Sequence, residues 1–293
     1  PPGPATLSPR SGLRTPPALV CLGLAALVAA LAGVHLTQGT AAVGPGELLA
    51  WLAGAAPPGQ VADVVLASRL PRLLAGVVVG LALGAAGAAF QAVTRNPLAS
   101  PDTLAVNAGA HLTLTAVAAF GVPLGIFGGT GAAFLGGLAG ALLVLALNRG
   151  DPSPARLVLV GSVVALGLAG LTSALMLVFS QETSGLFAWG AGSLSQAGLG
   201  AVLDSLWFLG AGALGLALLA GRLDLLQLGD DAARTLGVRV AGTRAAAVIV
   251  AVLLSGTAVS LAGPLGFVGL CAPVGVRLLA TRVPRLGSHR WLL

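Results

Sequence analysis

Few side chains in this chain could do chemistry, and their types exclude more than they offer. All 15 basic residues are arginine, so there is no lysine. A Walker A loop needs a lysine on the phosphates, and Schiff-base catalysis needs a lysine amine; both are excluded. His35, His111 and His289 are too scattered to argue a ligand set. Cys21 and Cys271 lie in apolar runs without CxxC spacing, which predicts buried structural thiols and neither a disulfide framework nor a metal site. No HExxH or GxSxG motif supplies a catalytic constellation. What remains is recognition chemistry: the arginine pair Arg69 and Arg72, the polar turn Arg95-Asn96-Pro97-Leu98-Ala99-Ser100-Pro101, and the acidic pair Asp230-Asp231 beside leucines.

The elements that position these groups are membrane spans. The chain of 293 residues is 56% hydrophobic and 8% charged, with a mean hydropathy of +0.98. A soluble domain is about a quarter charged, so this one lacks the charge to cover a water-facing surface. Residues 1–17 read as a cytoplasmic leader and 18–293 as one transmembrane domain. The apolar spans begin at 18–37; a signal peptide is disfavoured because no small-residue cleavage pattern follows and further spans do. A loop at 38–68 holds Glu47 and Asp63. Seven more spans follow at about 73–93, 103–120, 123–147, 156–179, 201–219, 244–261 and 264–279.

Between Arg69 and Ala110 the pattern is sharpest. Gly76, Gly80 and Gly84 fall four apart, so on a helix they share a face and form a smooth strip for a neighbouring helix. The Asn-Pro-Leu-Ala-Ser-Pro turn then stops the helix, since each proline lacks an N–H and restricts the residue before it. With the N-terminus cytoplasmic, 13 of the 15 arginines fall inside, leaving Arg69 and Arg72 outside. The arginine bias therefore orients the chain. The spans carry essentially no charge at mid-depth, with Asn107 and His111 the polar groups of note. A proton-coupled carrier is disfavoured, because ion paths need such groups.

Residues 221–243 are the longest polar stretch. Asp230 is placed to cap a short helix over 231–236 and Gly237 to end it. Such a helix either sits in a groove of a partner protein or lies on the membrane surface.

The order RLPR, a Gly/Ala-rich span, Q-x3-RNPLA-x-P and N-x-GA resembles FecCD-type permease subunits of ATP-binding-cassette importers for iron-siderophores, haem and cobalamin. The resemblance extends to L-x-LGD-x2-A-x2-LGV at 226–238 and to AGPLGFVGLCAP at 262–273. It implies an all-α polytopic membrane protein of the type II importer fold, with eight of ten expected transmembrane helices visible. It implies ATPase coupling through Leu226, Leu228, Gly229, Asp230, Asp231, Ala233, Leu236 and Gly237. Asn96, Pro97 and Leu98 match the cytoplasmic gate of the pathway; Arg69, with Arg72 beside it, matches an arginine that docks the binding protein. The implied partners are a cytoplasmic ATPase dimer carrying ATP and magnesium, an extracytoplasmic substrate-binding protein and a second permease subunit, in the bilayer of a bacterial inner membrane. No cofactor is implied in this chain, and nucleic acid is not a partner because the arginines stand singly between spans. Two departures accompany the match: Val274 stands where the family has histidine, and the chain ends where two further spans are expected, as in a truncated or fused permease. A secondary transporter or channel is the rival reading, and it requires paired broken helices around ionisable mid-membrane groups.

Overall fold

The Gly/Ala-rich stretch after Arg69 becomes an unbroken apolar helix of 25 residues. The computed structural model describes residues 17–39, 43–54, 60–124, 128–148, 154–186, 190–195 and 197–280. The expected leader lies almost wholly outside the described residues, as do the arginines beyond 280. Helix α1 spans Pro17–Thr37, α2 Pro45–Leu52 and α3 Gln60–Val64; one wide π-helical turn, Val65–Arg69, joins α3 to α4, Leu70–Thr94. The expected 38–68 loop is thus largely helical. Glu47 stabilises the start of α2 by accepting the Gly44 N–H at 2.9 Å, and Pro71 in the first turn of α4 pre-sets its backbone.

The prolines end α4 as expected, and the chain leaves through Arg95 in the left-handed region at φ 51°. The expected third span is broken: a 3₁₀ turn at Asp102–Leu104 and a second left-handed residue, Ala105, precede α5, Val106–Ala119. Then come α6 (Gly128–Leu147), α7 (Pro154–Val178), α8 (Leu199–Leu226), α9 (Asp230–Thr235), α10 (Val240–Ala262) and α11 (Val268–Ala280), with Pro273 inside α11. Among the described residues there is no strand. Among the described residues, five helices are long and apolar enough to cross a membrane: Ala62–Thr94, Gly128–Leu147, Arg156–Val178, Leu199–Leu226 and Val240–Ala262. Of the remaining expected spans, the first is the 21-residue α1, and the third and eighth are shorter, the 14 residues of α5 and Val268–Leu279.

Helices α4 and α10 form the centre, with α5, α6, α8 and α11 around them. Helix α8 shows why: Val202, Ser205, Gly212, Leu216, Leu219, Leu223 and Leu226 are buried at spacings of three, four or seven, so one stripe faces α4 and α10. Helix α7 is 11% buried against 67% for α10, so its long face of leucines and valines is left to surroundings outside this chain. The cysteines correct the expectation of buried thiols, since Cys21 and Cys271 are both exposed. In a membrane chain an apolar run is matched by lipid as well as by core.

The glycine strip is also corrected. Gly80 has open space on its missing-side-chain face, Gly84 makes an ordinary contact with Ala272, and Gly76 meets only the end of Leu194. The close approach lies one turn further on, where a Cβ at Gly87 would overlap the Gly269 carbonyl of α11. Gly161 of α7 presses in the same way on the Thr103 carbonyl.

Candidate functional site

One end of the bundle collects the polar turn and the acidic helix. Helix α9 starts after Gly229, whose φ of 107° suits a residue without Cβ, and closes through Gly237 at φ 82°. The closing hydrogen bonds run from Gly237 N–H to the Arg234 carbonyl and from Val238 N–H to the Ala233 carbonyl, a Schellman ending. Asp230 does not cap α9, contrary to expectation. It is the first helical residue; its Oδ1 accepts a hydrogen bond from Arg244 Nη2 at 2.8 Å and forms an ion pair with Arg95 Nη2 at 3.1 Å. Two guanidinium charges outweigh a local amide for a carboxylate. Asp231 is fully exposed and, among the described residues, pairs only with Arg234, one turn away.

The residues expected to couple to a partner therefore split into two sets. Leu226 and Ala233 are buried and hold α9 on the bundle, while Leu228 and Leu236 are 63% and 57% exposed beside Asp231 and Gly237. Two large leucines flank a six-residue helix and stand uncovered among the described residues. In the neighbouring turn, Asn96 Oδ1 accepts the Leu98 N–H at 2.9 Å, which shapes the turn and leaves Pro97 and Leu98 exposed. Arg277 of α11 donates to Gln91 of α4, so this end also gathers a cation from α11.

The 25-residue α4 separates Arg69 and Arg72 from this junction by about 37 Å at 1.5 Å per residue. Arg69 is not the exposed cation that was expected. It is 6% exposed, and its guanidinium donates to the Leu36 carbonyl at the end of α1. The π-helical turn gives the reason: it widens the backbone just where Arg69 swings back against α1. Arg72 is half-buried and donates to the Ser195 carbonyl at 3.4 Å.

Midway along the chain's fold, two non-helical breaks meet. Asn107 Nδ2 donates to Asp102 Oδ1 at 2.7 Å and to the Leu265 carbonyl at 3.3 Å, and Ser255 Oγ donates to Asn107 Oδ1 at 2.6 Å. Partial burial raises the Asp102 carboxyl above its ordinary value, against the lowering pull of the hydrogen bonds from Asn107 and the Phe267 N–H. A cavity of about 630 Å³ opens beside this knot, lined by Asp102, Asn107, His111, Ser162, Thr172 and Ser173. Sequence reasoning marked Asn107 and His111. It missed Asp102 and Ser255, and it counted Arg95 and Arg244 for orientation without seeing that they share one carboxylate. The available signal for Asp102 was its position as the one acid between the polar turn and α5.

Comparison with known proteins identifies the architecture. The profile of the FecCD transport family matches residues 25–287. The chain belongs to the FecCD transport family. Among relatives, the ferric enterobactin transport system permease protein FepD of Escherichia coli (strain K12) is 40% identical over 248 residues, covering 80% of this chain and 70% of FepD. The hemin transport system permease protein HmuU of Yersinia pestis is 38% identical, covering 77% of this chain and 68% of HmuU. A solved inward-facing metal-chelate type ABC transporter superposes with a TM-score of 0.75 at 25% identity, covering 94% of this chain and 84% of that one. This FecCD protein is accordingly a multi-pass membrane protein with a permease fold.

Proposed function

We propose that this chain is the permease subunit of an ATP-driven importer of ferric siderophores. With a second permease copy it lines the pathway. The observation that carries the reading is the exposed leucine pair Leu228 and Leu236 on α9, at the end of the bundle that also holds the 95–100 turn. An apolar pair on a short polar-flanked helix suits a groove in a water-soluble partner, here an ATPase that carries ATP and magnesium. The arginine bias supports a cytoplasmic N-terminus in a bacterial inner membrane and an ATPase at the α9 end. The Arg69–Arg72 end then faces an extracytoplasmic binding protein. Arg72 is the better docking cation, because the Arg69 guanidinium is held by Leu36. The ferric cargo follows FepD; haem is the second reading, favoured by the likeness to HmuU.

The test is capture of the ATPase encoded with this permease by the tagged permease from detergent extracts. Leu228→Arg with Leu236→Arg is expected to lower capture at least about tenfold, the loss of one apolar hot spot or more, with the permease still monodisperse. Equal capture by wild type and variant, or none by wild type, removes the coupling assignment and brings forward a transporter not driven by ATP. Uptake of radioactive iron as ferric enterobactin, with hemin as competitor, separates the two cargo readings.

A further inference from the structure

Three elements remote in sequence meet on one oxygen atom. Asp230 Oδ1 forms an ion pair with Arg95 at the exit of α4 and takes a hydrogen bond from Arg244 in the first turns of α10. Helix α9 is bounded by Gly229 and Gly237, both at positive φ, and a Cβ at Gly237 would meet nothing within 4 Å. Such ends let a six-residue helix tilt as a unit. The turn after Arg95 is likewise attached through a single left-handed residue. Two segments that each join the bundle through residues at positive φ are therefore held to each other by side chains.

We infer that Asp230 locks α9 and the 95–100 turn into one moving body, so that displacement of α9 is delivered to Asn96 and Leu98. The inference rests on the reading of α9 as the ATPase-contacting helix, and it names the residue that links it to the gate. Buried Ala233 and Leu226 hold α9 down but give it no grip on the turn; the Asp230–Arg95 pair supplies that grip. Arg244 carries the same bond to the start of α10, which pairs with α4 along the bundle. Partial exposure of all three side chains keeps the junction weak as a source of stability, so its removal should loosen the link without unfolding the chain. Asp230 acts as a positioning residue and not as a contact of cargo or nucleotide.

The experiment measures the distance between spin labels on the full chain in lipid nanodiscs, without ATPase. Labels are attached through Leu98→Cys and Thr235→Cys after Cys21→Ser and Cys271→Ser, with labelled chain diluted into unlabelled chain so that only distances within one chain count. Asp230→Asn is expected to broaden the distance distribution about twofold, Asp230→Glu to leave it narrow, and Arg95→Gln to broaden it as Asp230→Asn does. The Asp230→Asn/Arg95→Gln double variant is expected to be no broader than either single one, because both remove the same link. Asp231→Asn serves as control, since among the described residues Asp231 pairs only with Arg234. An unchanged width in Asp230→Asn, additive broadening in the double variant, or equal broadening in Asp231→Asn overturns the inference. Should Asp230→Asn fail to fold, Arg95→Gln carries the test, since it leaves the Arg244 bond in place. With no ATPase present, a failed coupling assignment leaves these widths unaffected, so the two readings fail separately.

Discussion

Gly87→Ala is expected to destabilise the protein by on the order of 3 kcal/mol or more, while Gly80→Ala on the same helix leaves it as stable or up to about 1 kcal/mol more so. Both residues are helical and lie within two turns, so propensity favours alanine equally at each. The difference is what the added methyl meets. At Gly80 it meets nothing within 4 Å; at Gly87 it meets the carbonyl of Gly269, a backbone atom of α11 that cannot rotate away. Relief requires α11 to move off α4, which also breaks the Gln91 Nε2 bond to the Leu270 carbonyl and the Arg277 bond to Gln91. Gly161→Ala should behave like Gly87→Ala, because its methyl would strike the Thr103 carbonyl. The check is the fraction remaining monodisperse after heating in detergent. A thiol-reactive dye is unsuitable, since both cysteines are exposed in the folded chain. Equal midpoints for the alanine variants at 80 and 87 would mean that the helices cross differently.

Asn107→Leu is expected to cost about 3–5 kcal/mol, the range for breaking a buried polar network from one side. Asn107 is 2% exposed and serves three partners at once, so leucine strands the Asp102 carboxylate, the Leu265 carbonyl and the Ser255 hydroxyl. Thr115 on the same helix provides the contrast. Its hydroxyl is buried and has no partner among the described residues, so Thr115→Val should be neutral or slightly stabilising. Denaturation midpoints that fall equally for both variants would show that burial alone, and not the network, sets the cost. The same knot carries a pH slope. Because burial lifts the folded Asp102 carboxyl above 3.8, the folded state holds its proton where the unfolded chain has released it. The stability contributed by Asp102 is therefore greatest at low pH and falls as pH rises from 3.8 through the raised folded value. Asp102→Asn should flatten that part of the profile, and a slope that persists assigns it to another group.

Much of the fold was legible because lipid imposes simple rules on sequence. A run of about twenty apolar residues has few other destinations. The stop of α4 just before the Asn96-Pro97 step followed from proline's missing N–H and its restriction of the residue before it, and the end of α9 at Gly237 from glycine's freedom at positive φ. The third span was misread for a physical reason. Asp102 to Ala105 reads as a mildly polar start to an apolar run, whereas the break is held by distant partners, the close approach of Gly161 to Thr103 and of Gly140 to Ala105 and the bond from Asn107 to the Leu265 carbonyl. The 38–68 loop was misread because composition there is mixed, and the π-helical turn that carries Arg69 has no sequence signature.

Hydropathy and proline chemistry determined, by themselves, that this is a helical membrane protein with a polar turn after α4 and a short acidic helix before α10. These are local properties, written within one or two helical turns of the residues that cause them. Tertiary structure alone decided that Asp230 faces Arg95 and Arg244, that Arg69 is buried, that Gly87 is the glycine two helices share, and that Asn107 bonds the Leu265 carbonyl 158 residues away. Each of these depends on which distant backbone arrives at a side chain, and a partner brought by packing leaves no periodicity in the sequence around it.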